Sequence, residues 1–189
     1  MTEKEKMLSG EWYNPADKEL WTERQNAKNI CYIYNHTEPN KLTYKRRIEL
    51  LEQLFNQKVN HYMNVEPNIF VDYGIYTKVG KDFYANYNLT LLDAGGITFG
   101  DNVLIGPNCS FYTSIHPVDK DERNKGIEAA KKITVGNDVW ICGGVTVLPG
   151  VTIGNNVIIG AGSVVTKDIP DDVVVAGNPA KIIKKNKNA

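Results

Sequence analysis

The sequence predicts a mainly β protein: a parallel β-helix of hexapeptide repeats preceded by a small helical unit. Three observations predict it. Bulky apolar residues recur at every sixth position over the C-terminal part of the chain, Gly followed by Asn or Asp punctuates them, and the first sixty residues carry a helical period instead. The chain accordingly divides into residues 1–60, a helical unit packing on the main domain, and residues 61–189. The second part holds the repeats, an extended loop at 114–132 and a C-terminal tail.

The helical unit comes first. From Asp17 to Tyr34, Leu20, Ala27, Ile30 or Cys31, and Tyr34 fall on one side at helical spacing, with Asn14-Pro15 as the entry. A second helix is expected from Leu42 to Gln57, with Ile48, Leu51, Leu54 and Phe55 as its stripe; His36 to Asn40, containing Pro39, separates the two. Neither helix is long enough to stand alone, so both are expected to pack on the repeats.

The repeats follow. Phe99, Ile105 and Phe111 form one column, which resumes as Val135, Ile141, Val147, Ile153, Ile159 and Val165. Two residues earlier runs a companion column: Ile97, Val103, Cys109, then Ile133, Val139, Val145, Val151, Val157 and Ser163. Each six-residue unit reads as a short strand and a turn, and three units close one triangular coil. Gly and Asn suit turn positions where positive φ or close backbone approach is needed. Upstream, Tyr73, Val79, Ala85 and Leu91 continue the six-residue spacing, but the later register requires 99 rather than 97. Two residues are therefore added around Asp93-Ala94-Gly95-Gly96, read as a bulged corner.

A larger break spans Ser114 to Lys132. It is polar, carries His116-Pro117, Asp119, Asp121, Glu122 and Arg123, and lacks the repeat pattern. Loops of this length in compact domains are commonly functional. His116 opens this one, whereas His36 and His61 belong to the helical part or its connection. A neutral imidazole can accept a proton near pH 7, which makes His116 the candidate general base.

Composition bounds the rest. The 189 residues carry 22 basic and 22 acidic side chains, so nothing suggests electrostatic capture of nucleic acid or a membrane. The N-terminal MTEKEKMLSG lacks the apolar stretch of a signal peptide. Cys31, Cys109 and Cys142 show no metal spacing and are expected as reduced thiols in a cytoplasmic protein. A zinc site of the kind found on other hexapeptide helices needs several histidines, and the repeat half has one.

The ordered motifs DYG at 72–74, FYANYNLTLLD at 83–93, IHPVD at 115–119, ITVGNDVWICGGVTVLPGVTIG at 133–154, GAGSVVTKDIP at 160–170 and AGNPAKIIK at 176–184 run nearly the length of the chain. With KMLSGEWYNPAD at the N-terminus, they resemble the hexapeptide acyltransferases, and among them the maltose and galactoside O-acetyltransferases, the maltose type more closely. The resemblance implies a left-handed parallel β-helix, a homotrimer with active sites between subunits, acetyl-CoA as co-substrate with no metal, and direct transfer to a sugar hydroxyl with His116 as base. It places Asp17, Asp72, Tyr84, Asn86 and Asp93 at the acceptor, Asp17 equally readable as a helix N-cap. Against coenzyme A it places Asn86, Trp140, Gly143, Ala161, Thr166, Lys167, Lys181 and Lys184, the two last lysines standing where relatives often carry arginine. A backbone N–H in the Cys142-Gly143-Gly144 corner is the candidate oxyanion donor. One departure is Ala94, where galactoside enzymes have a second acid. An antibiotic or amino-sugar acceptor, or a non-catalytic assembly module, are the alternatives on the same fold.

Overall fold

The computed structural model describes residues 1–38, 40, 43–59 and 61–186. Helix α1 (Glu3–Ser9) opens on a capping box between Thr2 and Glu5 and stops at Gly10, whose φ of 82° reverses the chain. Helix α2 (Lys18–Asn35) buries Leu20, Ala27, Cys31 and Tyr34, the stripe expected from spacing. Helix α3 (Tyr44–Phe55) ends on Asn56 in the left-handed conformation. Its expected start at Leu42, and Pro39 before it, lie outside the described residues.

Spacing did not reveal Arg47, which α3 buries with Leu50, Leu51, Leu54 and Phe55. Its guanidinium lies 4.1 Å over the Tyr34 ring and donates to Tyr34 Oη and Val65 O, each at 2.9 Å. Tyr34 Oη also donates to Val65 O at 2.5 Å. A buried cation is tolerated here because it binds carbonyl oxygens that need donors, and it thereby ties both helices to the first coil.

Beyond them the chain winds as a β-solenoid of about six turns. One face is a seven-stranded sheet: Met63–Val65, Phe83–Ala85, Leu104–Ile105, Trp140–Ile141, Ile158–Ile159, Val173–Ala176 and, antiparallel at the end, Lys181–Lys185. The second face has five strands: Ile69–Val71, Leu89–Leu92, Ser110–Tyr112, Thr146–Val147 and Val164–Val165. The third has four: Thr77–Lys78, Ile97–Phe99, Ile133–Val135 and Thr152–Ile153. All pairs within these faces are parallel except the last of the first sheet. The two expected columns from position 97 onward are buried throughout, and Phe83, Phe99 and Phe111 meet inside the prism with ring centroids 5.2 and 5.1 Å apart.

Upstream, the register needs one correction. Val71, not Tyr73, pairs with Leu91, which pairs with Phe111. Tyr73 is buried, but in a second cluster with Met7, Tyr13, Leu20, Ala94 and Ala130, under the N-terminal segment. The step from Val71 to Val79 is thus eight residues, as is that from Leu91 to Phe99. Both extra-long corners lie on the edge between the second and third faces, and the long excursion leaves from that same edge in the next coil.

The turns divide their labour. Asp82, Asn88, Asn102, Asn108, Asp138, Asn156 and Asp172 take positive φ. Gly100, Gly136 and Gly154 instead serve close stacking: a Cβ on Gly100 would lie 2.7 Å from the Gly136 backbone. Beside them, Asp171, Asn155, Asn137 and Asp101 each accept the amide proton of the residue one coil away, at 2.7–2.9 Å. Side chains thus continue the ladder through the corner.

Candidate active site

The excursion folds back on itself. Ser114–Ile115 pairs antiparallel with Ala129–Ala130, and helix α4 (Lys120–Arg123), capped by Asp119, sits at its tip. Ile115 stands opposite Ala129, so the next pair along the hairpin is His116 and Glu128. Their side chains meet: His116 Nε2 is 3.7 Å from Glu128 Oε1, while Nδ1 lies 3.4 Å from Ile127 O. In the tautomer that directs Nδ1–H at that carbonyl, Nε2 carries the lone pair.

His116 is half-exposed at one wall of a cleft of about 470 Å³. Glu128, Ser114, Ala94, Asp72 and Leu92 line the cleft from the solenoid and the excursion, and Pro15, Ala16, Trp21, Arg24 and Lys28 line it from the N-terminal unit. Burial raises the Asp72 carboxyl above its ordinary value, an effect opposed by Arg24 and Lys28. Arg24 is itself fixed, donating to Tyr73 Oη at 2.6 Å and to Pro15 O at 2.5 Å. The cleft therefore offers a proton acceptor, carboxylates, cations and an indole face to a small polar molecule.

The remaining expected site residues fall in several places. Asp17 caps α2, its Oδ1 accepting from the amides of Glu19 and Leu20, beside the cleft-lining Pro15 and Ala16. Asp93 is completely buried and is not among the residues that line this cleft. Oδ1 accepts from Tyr73 N–H at 2.8 Å, and Oδ2 from Gly74 N–H at 2.9 Å and Thr77 Oγ1 at 2.8 Å. Burial pushes its carboxyl up to about 6 despite those three donors. It knits the bulged corner together, and the next residue, Ala94, is the one that faces the cleft.

Asn86, Gly143 and Ala161 lie on the edge where the chain enters the five-stranded face; Asp72, His116, Thr166 and Lys167 follow the strands of that face and lie on the opposite edge. One chain does not bring these two sets together. Asn86 Oδ1 accepts from Tyr87 N–H at 2.8 Å. Cys142 N–H donates to Ile159 O and Gly144 N–H to Pro107 O, so of the three corner amides only Gly143 N–H makes no hydrogen bond among the described residues. Tyr84 and Trp140 project from the seven-stranded face, and Trp140 is 51% exposed. Trp140 and Lys184 line a depression of about 590 Å³ with Ile158, Val174, Lys185 and Asn186; Lys181 is exposed on the same terminal strand. Sequence reasoning missed Arg24, Lys28, Trp21 and Glu128. Only Glu128 had a usable signal, as the acid that a hairpin closing the excursion sets against His116.

A solenoid built of such hexads, with a histidine-bearing excursion at a bulged edge, defines a hexapeptide-repeat transferase. Residues 132–167 match the model of the bacterial transferase hexapeptide (six repeats), and residues 6–58 match the maltose acetyltransferase hexapeptide capping motif. A maltose O-acetyltransferase from Clostridium difficile 630 superposes with a TM-score of 0.96 at 48% identity, covering 100% of this chain and 99% of that one. A galactoside acetyltransferase in complex with coenzyme A gives 0.92 at 39% identity, covering 100% and 92%. A putative acetyltransferase of Schizosaccharomyces pombe is 46% identical over 98% of this chain and 93% of its own length. The chain belongs to the maltose/galactoside O-acetyltransferase family of hexapeptide-repeat acetyltransferases.

Proposed function

We propose that this protein transfers the acetyl group of acetyl-CoA to a hydroxyl of a sugar of the maltose, glucoside or galactoside type, in a ternary complex, in the cytoplasm. The observation that carries this reading is a cleft of about 470 Å³ lined by both His116 and Asp72. His116 Nε2 takes the hydroxyl proton as the oxygen attacks the thioester carbonyl. Gly143 N–H steadies the tetrahedral oxyanion. Collapse breaks the C–S bond, and the departing thiolate recovers the proton from the imidazolium, leaving acetyl ester and free coenzyme A.

Two subunits are needed for this. His116 and Gly143 occupy opposite edges of one prism, so the Gly143 edge of a neighbouring copy must meet the His116 edge, as it does when three copies close around an axis. The neighbour would bring Asn86, Ala161 and its outward Tyr84 and Trp140. Coenzyme A then runs along the later coils, its phosphates toward Lys181 and Lys184, with Thr166 and Lys167 beside the chain. Asp72 is the acceptor-binding carboxylate, and Ala94, lacking an acid, favours glucosides over galactosides. The support for a coenzyme is that the chain aligns end to end with relatives solved in complex with coenzyme A and, in a Vibrio cholerae acetyltransferase at 36% identity and a TM-score of 0.89, acetyl-CoA.

The deciding experiment measures thiol release from acetyl-CoA across glucosides, galactosides, maltose and amino sugars. Turnover with a neutral sugar supports the reading. Turnover confined to amines would move the assignment to N-acetylation, and none at all would leave an assembly module.

A further inference from the structure

Glu128 belongs to two contacts at once. One carboxylate oxygen, Oε1, faces His116 Nε2 at 3.7 Å, and the other, Oε2, accepts from Tyr13 Oη at 2.8 Å. Tyr13 lies far away in sequence, on the segment between α1 and α2. It is 1% exposed, wedged among Met7, Leu20, Tyr73, Ala94 and Ala130. We propose that Tyr13 is a positioning residue for the reaction: its hydroxyl locks the Glu128 carboxylate so that the free oxygen stands beside the nitrogen of His116 that takes the proton. This rests on the reading of His116 as general base.

The hydroxyl is not needed to dock the segment. Tyr13 N–H donates to Glu128 O at 2.8 Å, and Glu128 N–H donates to Tyr13 O at 3.0 Å, an antiparallel bridge that holds the two strands whatever the side chains are. The ring is buried among apolar groups and would pack the same way as phenylalanine. What the hydroxyl adds is a fixed direction for a flexible carboxylate that is otherwise only partly covered. Burial, and then the charge of Glu128, raises the phenol, so it stays protonated and keeps donating. A carboxylate held in place before the reaction meets the imidazolium charge as it forms, without reorganising at that moment.

The test is a double-mutant cycle on the full chain, with acetyl-CoA and the best acceptor among maltose, methyl glucoside and methyl galactoside, read by thiol release. Tyr13→Phe is expected to lower kcat about tenfold while both KM values stay within about twofold. Glu128→Ala is expected to lower kcat at least as much, and the double variant to be no slower than Glu128→Ala alone. Melting curves of all three are expected to remain cooperative. Wild-type kcat in Tyr13→Phe, or an equal loss on adding it to Glu128→Ala, would overturn the proposal, since a purely structural tyrosine acts the same in both backgrounds. His116→Ala in the same assay separates the two levels. If it turns over normally, the base assignment fails; if it is inactive while Tyr13→Phe is unaffected, only the role of Tyr13 fails.

Discussion

The carboxylate of Asp93 accepts the amide proton of Tyr73 from the preceding coil at 2.8 Å, joining two bulged corners that lie one above the other. Because burial lifts this carboxyl to about 6, the folded protein binds a proton there that the unfolded chain, near 3.8, has already released. The sign follows. The stabilisation from protonated Asp93 is complete below about pH 4 and is lost as pH rises through 6. Asn at this position does not titrate. The stability gap between wild type and Asp93→Asn should therefore shrink by up to about 3 kcal/mol from pH 4 to 7. Urea denaturation at one protein concentration measures it, and a gap that widens with pH would refute the assignment.

His116→Ala should lower kcat about a thousandfold, the range a well-placed general base supplies. The KM for acetyl-CoA should be unchanged, because in the proposed arrangement His116 stands on the acceptor side of the thioester. Sedimentation of the variant should match wild type. Loss of assembly together with activity would point to a structural role instead.

Asp72→Ala should act on the acceptor alone. Asp72 lines the cleft, and its carboxylate is within the influence of Arg24 and Lys28. Removing a charged hydrogen-bond partner should raise the acceptor KM about tenfold or more. Initial rates at varied acetyl-CoA then serve as the internal control, and a matching rise in the KM for acetyl-CoA would place Asp72 elsewhere in the reaction.

How much of this was legible beforehand follows from period and distance. The inward columns from Ile97 to Val165 were readable because six-residue stacking repeats the same local demand in every coil. The upstream part misled at Tyr73, because a six-residue count carried through a corner that is two residues longer, and only strand pairing exposes this. The motif marks Asp93 as a polar residue at the slip, but not that it is completely buried while the neighbouring Ala94 lines the cleft, because burial at a corner depends on the coil stacked next to it. Arg24, Lys28 and Trp21 were invisible as site residues, since nothing in a helical period says which strand edge a helix will cover. Tyr13 and Glu128 meet across 115 positions, beyond the reach of any local pattern.

Gly106 supplies the last test, because it separates two reasons for glycine. Its φ is not positive, but a Cβ there would lie 2.5 Å from Gly143 N and 2.8 Å from Cys142 C. Neither backbone can yield: Gly106 N–H donates to Ile141 O at 2.7 Å and Gly144 N–H to Pro107 O at 2.8 Å, so moving one coil breaks the other's ladder. Gly126 is the opposite case, with φ of +74° and open space around its Cβ direction. Gly126→Ala should cost only the left-handed strain, about 1 kcal/mol. Gly106→Ala should cost about 3 kcal/mol through overpacking and should also disturb the Gly143 amide, so stability and kcat fall together. Thermal melts and thiol-release rates on the two variants decide it. If Gly126→Ala proves the more damaging, the close approach of the coils is not what requires glycine at 106.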